Sequence, residues 1–340
     1  MSGPADDVDW DAPAAAGAGL FGFDTAPGDA RLVVIGVPWE PTVSYRRGTA
    51  ATPHRIVAAS HQLDLFDAGL GRSVGPEVAL APIPPAWIER NAQACAAARA
   101  GDTAAVNAAS EALNAELAET AAGHLGAGRR VGVVGGDHSA PLGALAAIAK
   151  AHPGLGVLHI DAHHDLRVAF EGYVHSHASI MHHVLAGLDD VSALVSVGVR
   201  DFSEREFARA CRDDRASTFY DRDLQRDRFR GRAWSDACTE IVAALPECVY
   251  VSFDIDGLDP SLCPNTGTPV PGGLGWAEAL YLLEAIPASG RQVVAFDLSE
   301  VSAGPGPETG NGNGGWDLDV AARLLHHLSA RTLPPSGDGA

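Results

Sequence analysis

The chain has 340 residues, enough to bury a large core, and 46% of them are hydrophobic against 20% charged, which argues against global disorder. Its 43 acidic and 24 basic side chains give a formal charge of −19, a field that repels phosphate backbones and anionic lipid heads, so neither nucleic acid nor a membrane surface is an expected partner. Five scattered cysteines, Cys95, Cys211, Cys238, Cys248 and Cys263, include no CxxC pair and argue against a disulfide scaffold or a thiolate metal site.

Residues 1–29, rich in Ala, Gly, Pro and Asp, read as a flexible or surface-draped extension with brief apolar character around Leu20 to Phe23. The opening MSGPADDVDW is acidic where a secretion signal is basic and then apolar. No later stretch supplies about 20 uninterrupted apolar residues, so a cytoplasmic chain is expected. RLVVIGVP, from Arg31, predicts a buried strand, and WEPTVSYRRGTAATPHR a long loop. The Ala-rich run from Pro85 to Gly128 predicts helix with punctuation near Gly101 and Asp102. RRVGVVGGDHS then predicts a strand followed by the helix PLGALAAIAKAHPG. Four further strands are expected in GLGVLHIDAHHD, VSALVSVGVRD, ECVYVSFDIDGLDP and RQVVAFDLSEVS. Helices are expected in SIMHHVLAGL, SEREFARACRD, GWAEALYLLEAI and WDLDVAARLLHHLSA.

Near-continuous apolar strands divided by amphipathic helices predict an α/β fold whose mostly parallel sheet is covered on both faces, as a single domain over 30–330. Such sheets carry ligand groups on loops beyond the carboxyl ends of the strands. The Gly- and Pro-rich stretches 266–275 and 303–315 read as site-lining loops, and 331–340 as a disordered tail. VVGGDHS lacks the GxGxxG arrangement, which argues against a dinucleotide cofactor.

The polar clusters all sit at strand ends. Asp161, His163 and Asp165 recur at intervals of two, so an extended segment would project them to one side. Crowded carboxylates and imidazole need an opposing charge, which a hard or borderline divalent metal provides. Asp254 and Asp256 repeat the spacing, and His138 in GGDHS ends another strand. Four carboxylates and two imidazoles suffice for two metals if some carboxylates bridge.

GGDHS at 135–139, DAHHD at 161–165 and SFDIDGLDP at 252–260, in this order, resemble the ureohydrolase superfamily of arginases, agmatinases and formimidoylglutamases. The opening VIGVPWEPTVSYRRGTAATP extends the resemblance over roughly 31–328. It implies an arginase-like three-layer α-β-α fold with a parallel eight-stranded sheet, a small amidino or guanidino substrate, and a homotrimer or homohexamer. It also implies two divalent metal ions per chain: one manganese ion at His138, Asp161, Asp165 and Asp254, a second at His163, Asp161, Asp254 and Asp256. The oxygen-rich ligand set alone also admits Ni²⁺. His177 in YVHSHASIM takes the proton-shuttling place, with His175 a weaker candidate, and Glu300 in FDLSEVS takes that of the carboxylate pairing with a guanidinium or amidinium group. The implied catalytic set is thus His177, Asp165 and Glu300. Where the family has Asn-Pro after that glutamate, this chain has Val301-Ser302. His164, His182 and His183 read as surface or structural groups.

Arg167, in DAHHDLR, suits a substrate carboxylate and tilts the expectation toward N-formimidoyl-glutamate and formamide release, with His177 and Glu300 completing the substrate-binding set. The competing reading pairs Arg167 with a protein acid such as Asp165 or Glu171. The alternatives are an agmatinase or guanidino-acid hydrolase releasing urea, an arginase-fold deacetylase with one zinc, and a non-catalytic, metal-stabilised protein.

Overall fold

The computed structural model describes residues 14–15, 17–304 and 315–333; most of the expected 1–29 extension's first half, most of the 303–315 loop and the tail from 334 lie outside the described residues. Among the described residues, ten strands and ten α-helices follow one another, mostly in alternation. The strands are β1 (Leu32–Gly36), β2 (Phe66–Asp67), β3 (Arg72–Ser73), β4 (Val78–Ala81), β5 (Arg130–Val134), β6 (Leu155–Ile160), β7 (Val191–Val197), β8 (Ala216–Phe219), β9 (Cys248–Asp254) and β10 (Gln292–Ser299). The helices are α1 (Thr52–Ser60), α2 (Pro85–Arg99), α3 (Thr103–Gly126), α4 (Leu142–Ala151), α5 (Ile180–Gly187), α6 (Glu204–Ala210), α7 (Asp221–Phe229), α8 (Trp234–Ala243), α9 (Trp276–Ala288) and α10 (Gly315–Thr332).

Eight strands form one parallel sheet in the order β4-β1-β5-β10-β9-β6-β7-β8, and β2 and β3 make a small antiparallel hairpin. The apolar runs work because alternate side chains enter opposite layers. On β9, Val249, Val251 and Phe253 join one core with α8, α9 and α10, while Tyr250 joins the other with α3, α4 and α5. On β6, Leu158 and Ile160 face the first core, Leu155 and Val157 the second. Within the expected N-terminal extension, Leu20 and Phe21 are buried in the first core, and the Phe21 N–H donates to Ser60 Oγ on α1. Among the described residues no helix is long and apolar enough to cross a membrane. All five cysteines are free.

The expected long loop after β1 ends earlier than its sequence suggested, because Thr52 opens α1 with Pro53 in its first turn, where a proline costs the helix no hydrogen bond.

Candidate metal centre

Four neighbouring strands, β5, β10, β9 and β6, bring their carboxyl ends level: Val134 lies opposite Leu298, Ser299 opposite Asp254, and Ile160 opposite Phe253. His138 follows β5, Glu300 follows β10, Asp254 closes β9 and Asp161 follows β6. Two glycines permit the close approach of these ends. A Cβ on Gly136 would lie 1.7 Å from the Trp39 carbonyl oxygen, and one on Gly257 2.8 Å from the Asp161 nitrogen.

The aspartates converge by turns rather than by the extended alternation expected from their spacing. β6 ends at Ile160, and Asp161 Oδ1 accepts from the His163 N–H at 2.6 Å. Likewise Asp254 Oδ1 accepts from the Asp256 N–H at 2.8 Å across the turn Ile255–Gly257. An aspartate bonding the backbone two residues on closes a turn, which competes with continuing the strand. Asp165 and Glu300 both take positive φ, 53° and 61°, strained backbone for side-chain-bearing residues and a feature that clusters at functional sites.

The ligand atoms gather in two groups. His138 Nδ1 lies 3.0 Å from Asp161 Oδ2, 3.1 Å from Asp165 Oδ2 and 3.3 Å from Asp254 Oδ2. His163 Nδ1 lies 3.3 Å from Asp161 Oδ1 and 3.2 Å from Asp256 Oδ2. Asp161 thus offers one oxygen to each group, and the structure brings together all six residues that the sequence reading proposed as ligands. His159 also reaches the first group, its Nε2 2.9 Å from Asp161 Oδ2 and its Nδ1 3.1 Å from Ser196 Oγ. With both ring nitrogens engaged within the sheet, it orients Asp161, as Ser252 Oγ, 2.9 Å from His138 Nε2, orients His138.

Electrostatics shows what kind of partner this cluster suits. Burial opposes charging His138, yet hydrogen bonds to Asp161, Asp165 and Asp254 hold its imidazolium well above the ordinary range. Burial likewise opposes charging His163, but Asp256 and Asp161 push it up to about 12. Burial drives Asp254 well up, with Asp256 and Asp161 adding repulsion; burial and Asp161 raise Asp165. Asp161 goes the other way: burial opposes its ionisation, but His159 and its hydrogen-bonded histidines outweigh that. The buried acids recruit protons to offset surplus negative charge, the service two divalent cations would provide. The donor set therefore fits a two-ion centre, whereas a one-zinc deacetylase site needs only half of it.

A cavity of about 170 Å³ opens on the centre, and His177, Glu300 and Arg167 line it with Ser44, Phe170 and Asp201. Glu300 Oε1 accepts from the His138 N–H at 3.0 Å, and the Glu300 N–H donates to the Gly136 carbonyl at 2.9 Å. Burial, then repulsion from Asp137, raises its carboxyl well above the normal range. His177 stands edge-on to Phe170, ring centroids 5.8 Å apart. Its Nε2 is 3.5 Å from Ser44 Oγ. His175 packs against His183 at 4.7 Å, off the cavity wall. His164 lies against Phe202 and Tyr220, and burial pushes it down to about 4; His182 Nδ1 sits 3.2 Å from Arg209 Nη1.

Arg167 pairs with neither Asp165 nor Glu171. Its Nη2 is 3.5 Å from Glu206 Oε2, and its guanidinium lies 4.8 Å over the Phe170 ring. Glu206 is held in turn by the capping box of α6, its Oε2 accepting from the Ser203 N–H at 3.0 Å. The residues that sequence reasoning missed are His159, Glu206, Phe170, Asp201, and Thr42 with Asp137. His159 carried a local signal, being two residues before Asp161 and in phase with it, and Asp137 and Thr42 lie inside quoted motifs, GGDHS and the opening VIGVPWEPT.

The arginase family model matches residues 30–311. The chain belongs to the arginase family. Among curated arginase-family proteins, the N(1)-aminopropylagmatine ureohydrolase of Thermus thermophilus is 33% identical over 308 residues, spanning 89% of this chain and 91% of the relative. The proclavaminate amidinohydrolase of Streptomyces clavuligerus is 32% identical over 290 residues, 82% of each. A solved structure of the Streptomyces clavuligerus proclavaminate amidino hydrolase superposes with a TM-score of 0.71 at 25% identity, covering 95% of this chain and 100% of that one. Family, fold and the two ligand groups together make the chain a metal-dependent hydrolase of non-peptide C–N bonds in amidino or guanidino compounds.

Proposed function

We propose that this arginase-family enzyme cleaves a guanidino compound with a cationic tail, agmatine or an aminopropyl derivative of it, and releases urea. The observation that carries this reading is the engagement of Arg167 by Glu206 and Phe170. A guanidinium already neutralised by a carboxylate is poorly placed to read a second one, which removes the main support for N-formimidoyl-glutamate. Asp201 and Glu206 line the same cavity as Arg167, two carboxylates against one guanidinium, a balance that favours an amine. The name of the Thermus thermophilus relative describes such a substrate.

Glu300 would orient the planar guanidinium, since two N–H donors match two carboxylate oxygens. Asp161 would hold both ions, His138, Asp165 and Asp254 the first, and His163, Asp254 and Asp256 the second. When bound, the pair would supply a water acidified for attack at neutral pH and compensate charge building at the guanidino carbon. His177 would deliver a proton to the tail nitrogen as its bond to that carbon breaks, so water and substrate become urea and a free amine. Family membership supports manganese as the resident ion and a homotrimer or homohexamer.

The test is a panel of agmatine, N(1)-aminopropylagmatine, arginine, 4-guanidinobutanoate and N-formimidoyl-glutamate, with urea and formamide measured separately. The proposal expects the highest kcat/KM, and urea only, with a cationic-tailed substrate. Preferred turnover of N-formimidoyl-glutamate with formamide release contradicts it. A second reading, a guanidino acid, has one observation in its favour. The Arg167 side chain is 38% exposed and makes a single ion pair, so a substrate carboxylate could displace Glu206.

A further inference from the structure

We propose that Thr42, held as an acceptor by the buried carboxylate of Asp137, fixes His177 in its Nδ1-protonated tautomer and so presents Nε2 to the substrate. The inference rests on the role given to His177 above and adds two positioning residues to it.

The argument is a count of hydrogens. Asp137 is fully buried and receives four donors: Thr42 Oγ1 at 2.9 Å and Thr42 N at 3.3 Å on Oδ2, Ser139 N at 3.1 Å and Ser139 Oγ on Oδ1. As a carboxylate Asp137 can only accept, and each of its oxygens meets a backbone N–H, which can only donate. The single hydroxyl hydrogen of Thr42 is therefore committed to Asp137. Thr42 Oγ1 then has two lone pairs left, and two groups reach them: the His177 backbone N–H at 3.1 Å and His177 Nδ1 at 3.4 Å. A bare Nδ1 would set lone pair against lone pair there, whereas an Nδ1–H satisfies both atoms. Ser176 Oγ, also 3.4 Å from Nδ1, can donate or accept and does not decide the matter. Thr42 does. Nε2, beside Ser44 on the cavity wall, is left bare, so it can take a proton from the attacking water and then, as part of the imidazolium, pass it to the departing amine. Thr42 is 1% exposed, so water does not compete for its hydroxyl. The division of labour is that of a buried carboxylate orienting a catalytic histidine, with a threonine hydroxyl interposed.

The test combines Thr42→Val, which keeps the shape and removes the hydroxyl, with Thr42→Ser, which restores it. Long-range ¹H–¹⁵N spectra of histidine-labelled, full-length protein, both metal-free and loaded with diamagnetic Zn²⁺, report the His177 tautomer. Wild type and Thr42→Ser should show Nδ1–H. Thr42→Val, leaving Ser176 as the polar neighbour, should shift toward Nε2–H. In manganese-loaded enzyme, Thr42→Val should lower kcat about tenfold with KM within about twofold, and Thr42→Ser should recover most of the loss. Three results overturn the proposal: Nε2–H in the wild type, an unchanged tautomer in Thr42→Val, or a shifted tautomer with unchanged kcat. Should Thr42→Val not fold, the wild-type and Thr42→Ser spectra still decide the tautomer. Absence of guanidino hydrolysis by the wild type would instead refute the functional reading, while the spectra continue to test the hydrogen-bond relay.

Discussion

Replacing Glu300 with glutamine isolates the charge that the proposed guanidinium contact needs. Glutamine keeps the volume and can still accept from the His138 N–H, now 3.0 Å from Oε1. The backbone at 300 is held independently, its N–H donating to Gly136 O and its carbonyl accepting from Thr266 Oγ1 at 2.8 Å. The side chain should therefore stay in place while one interaction changes. Without a cation nearby, burial and Asp137 favour a neutral Glu300, so a bound guanidinium would be the partner that brings it to the charged form. A charge-assisted hydrogen bond contributes roughly 1.5–3 kcal/mol, which converts to a loss of about 10- to 150-fold in kcat/KM for Glu300→Gln. Steady-state urea release measures the loss, with metal content and thermal unfolding as controls. A decrease below about threefold, in protein with full metal content, refutes the assignment of Glu300 to the guanidinium.

Three further outcomes follow from the same geometry. His177→Ala should preserve metal content and lower turnover by about 10²-fold, the scale of general acid–base catalysis; unchanged turnover of a verified substrate removes His177 from that role. Arg167→Ala should change kcat/KM for a cationic-tailed substrate by less than about threefold, because the guanidinium already serves Glu206, and a selective loss of about tenfold or more with a guanidino acid would favour the second reading instead. Asp67 provides a stability test far from the centre. Burial alone would raise its carboxyl, but the Leu70 N–H and Arg331, both at 2.9 Å, hold it below the ordinary range. A depressed native pKa adds stability above the unfolded pKa of about 3.9 and loses it as pH falls through the native value. Asp67→Asn should thus be destabilised in urea at pH 7, with the difference from wild type shrinking below about pH 4; a difference that persists undiminished in acid argues against the ion pair as its source.

The centre was legible because each ligand lies within a few residues of an apolar strand, and strand ends collect ligands in parallel sheets. GGDHS, DAHHD and SFDIDGLDP therefore named the six residues that the structure assembles. The means of convergence was not legible: two-residue spacing suits an extended chain, yet Asp161 and Asp254 close turns on their own backbone. The Glu206 partner of Arg167 was equally hidden, since 39 positions separate them and only the packing of α6 beside the cavity unites them. Of the fold, the six long buried strands β1, β5, β6, β7, β9 and β10 announced themselves through continuous apolar runs. β4 and β8 did not, being four residues each and half-exposed in part, and α7 did not because Asp221 and Leu224 are its only buried side chains in a charged run. Thr42 lies inside the opening motif that carries the resemblance, but its connection to His177, 135 positions away, is made only by the folded loop after β1.

The central claim is that guanidino hydrolysis requires both ligand groups to be filled. Urea release from a cationic-tailed guanidino substrate, followed as metal-free protein is titrated with Mn²⁺ and bound metal is counted per chain, tests it most directly. The account predicts that activity reaches its plateau at two ions per chain, and that Asp256→Ala, which breaks the second group, leaves little activity at any Mn²⁺ concentration. Full activity with one tightly bound ion per chain would contradict it.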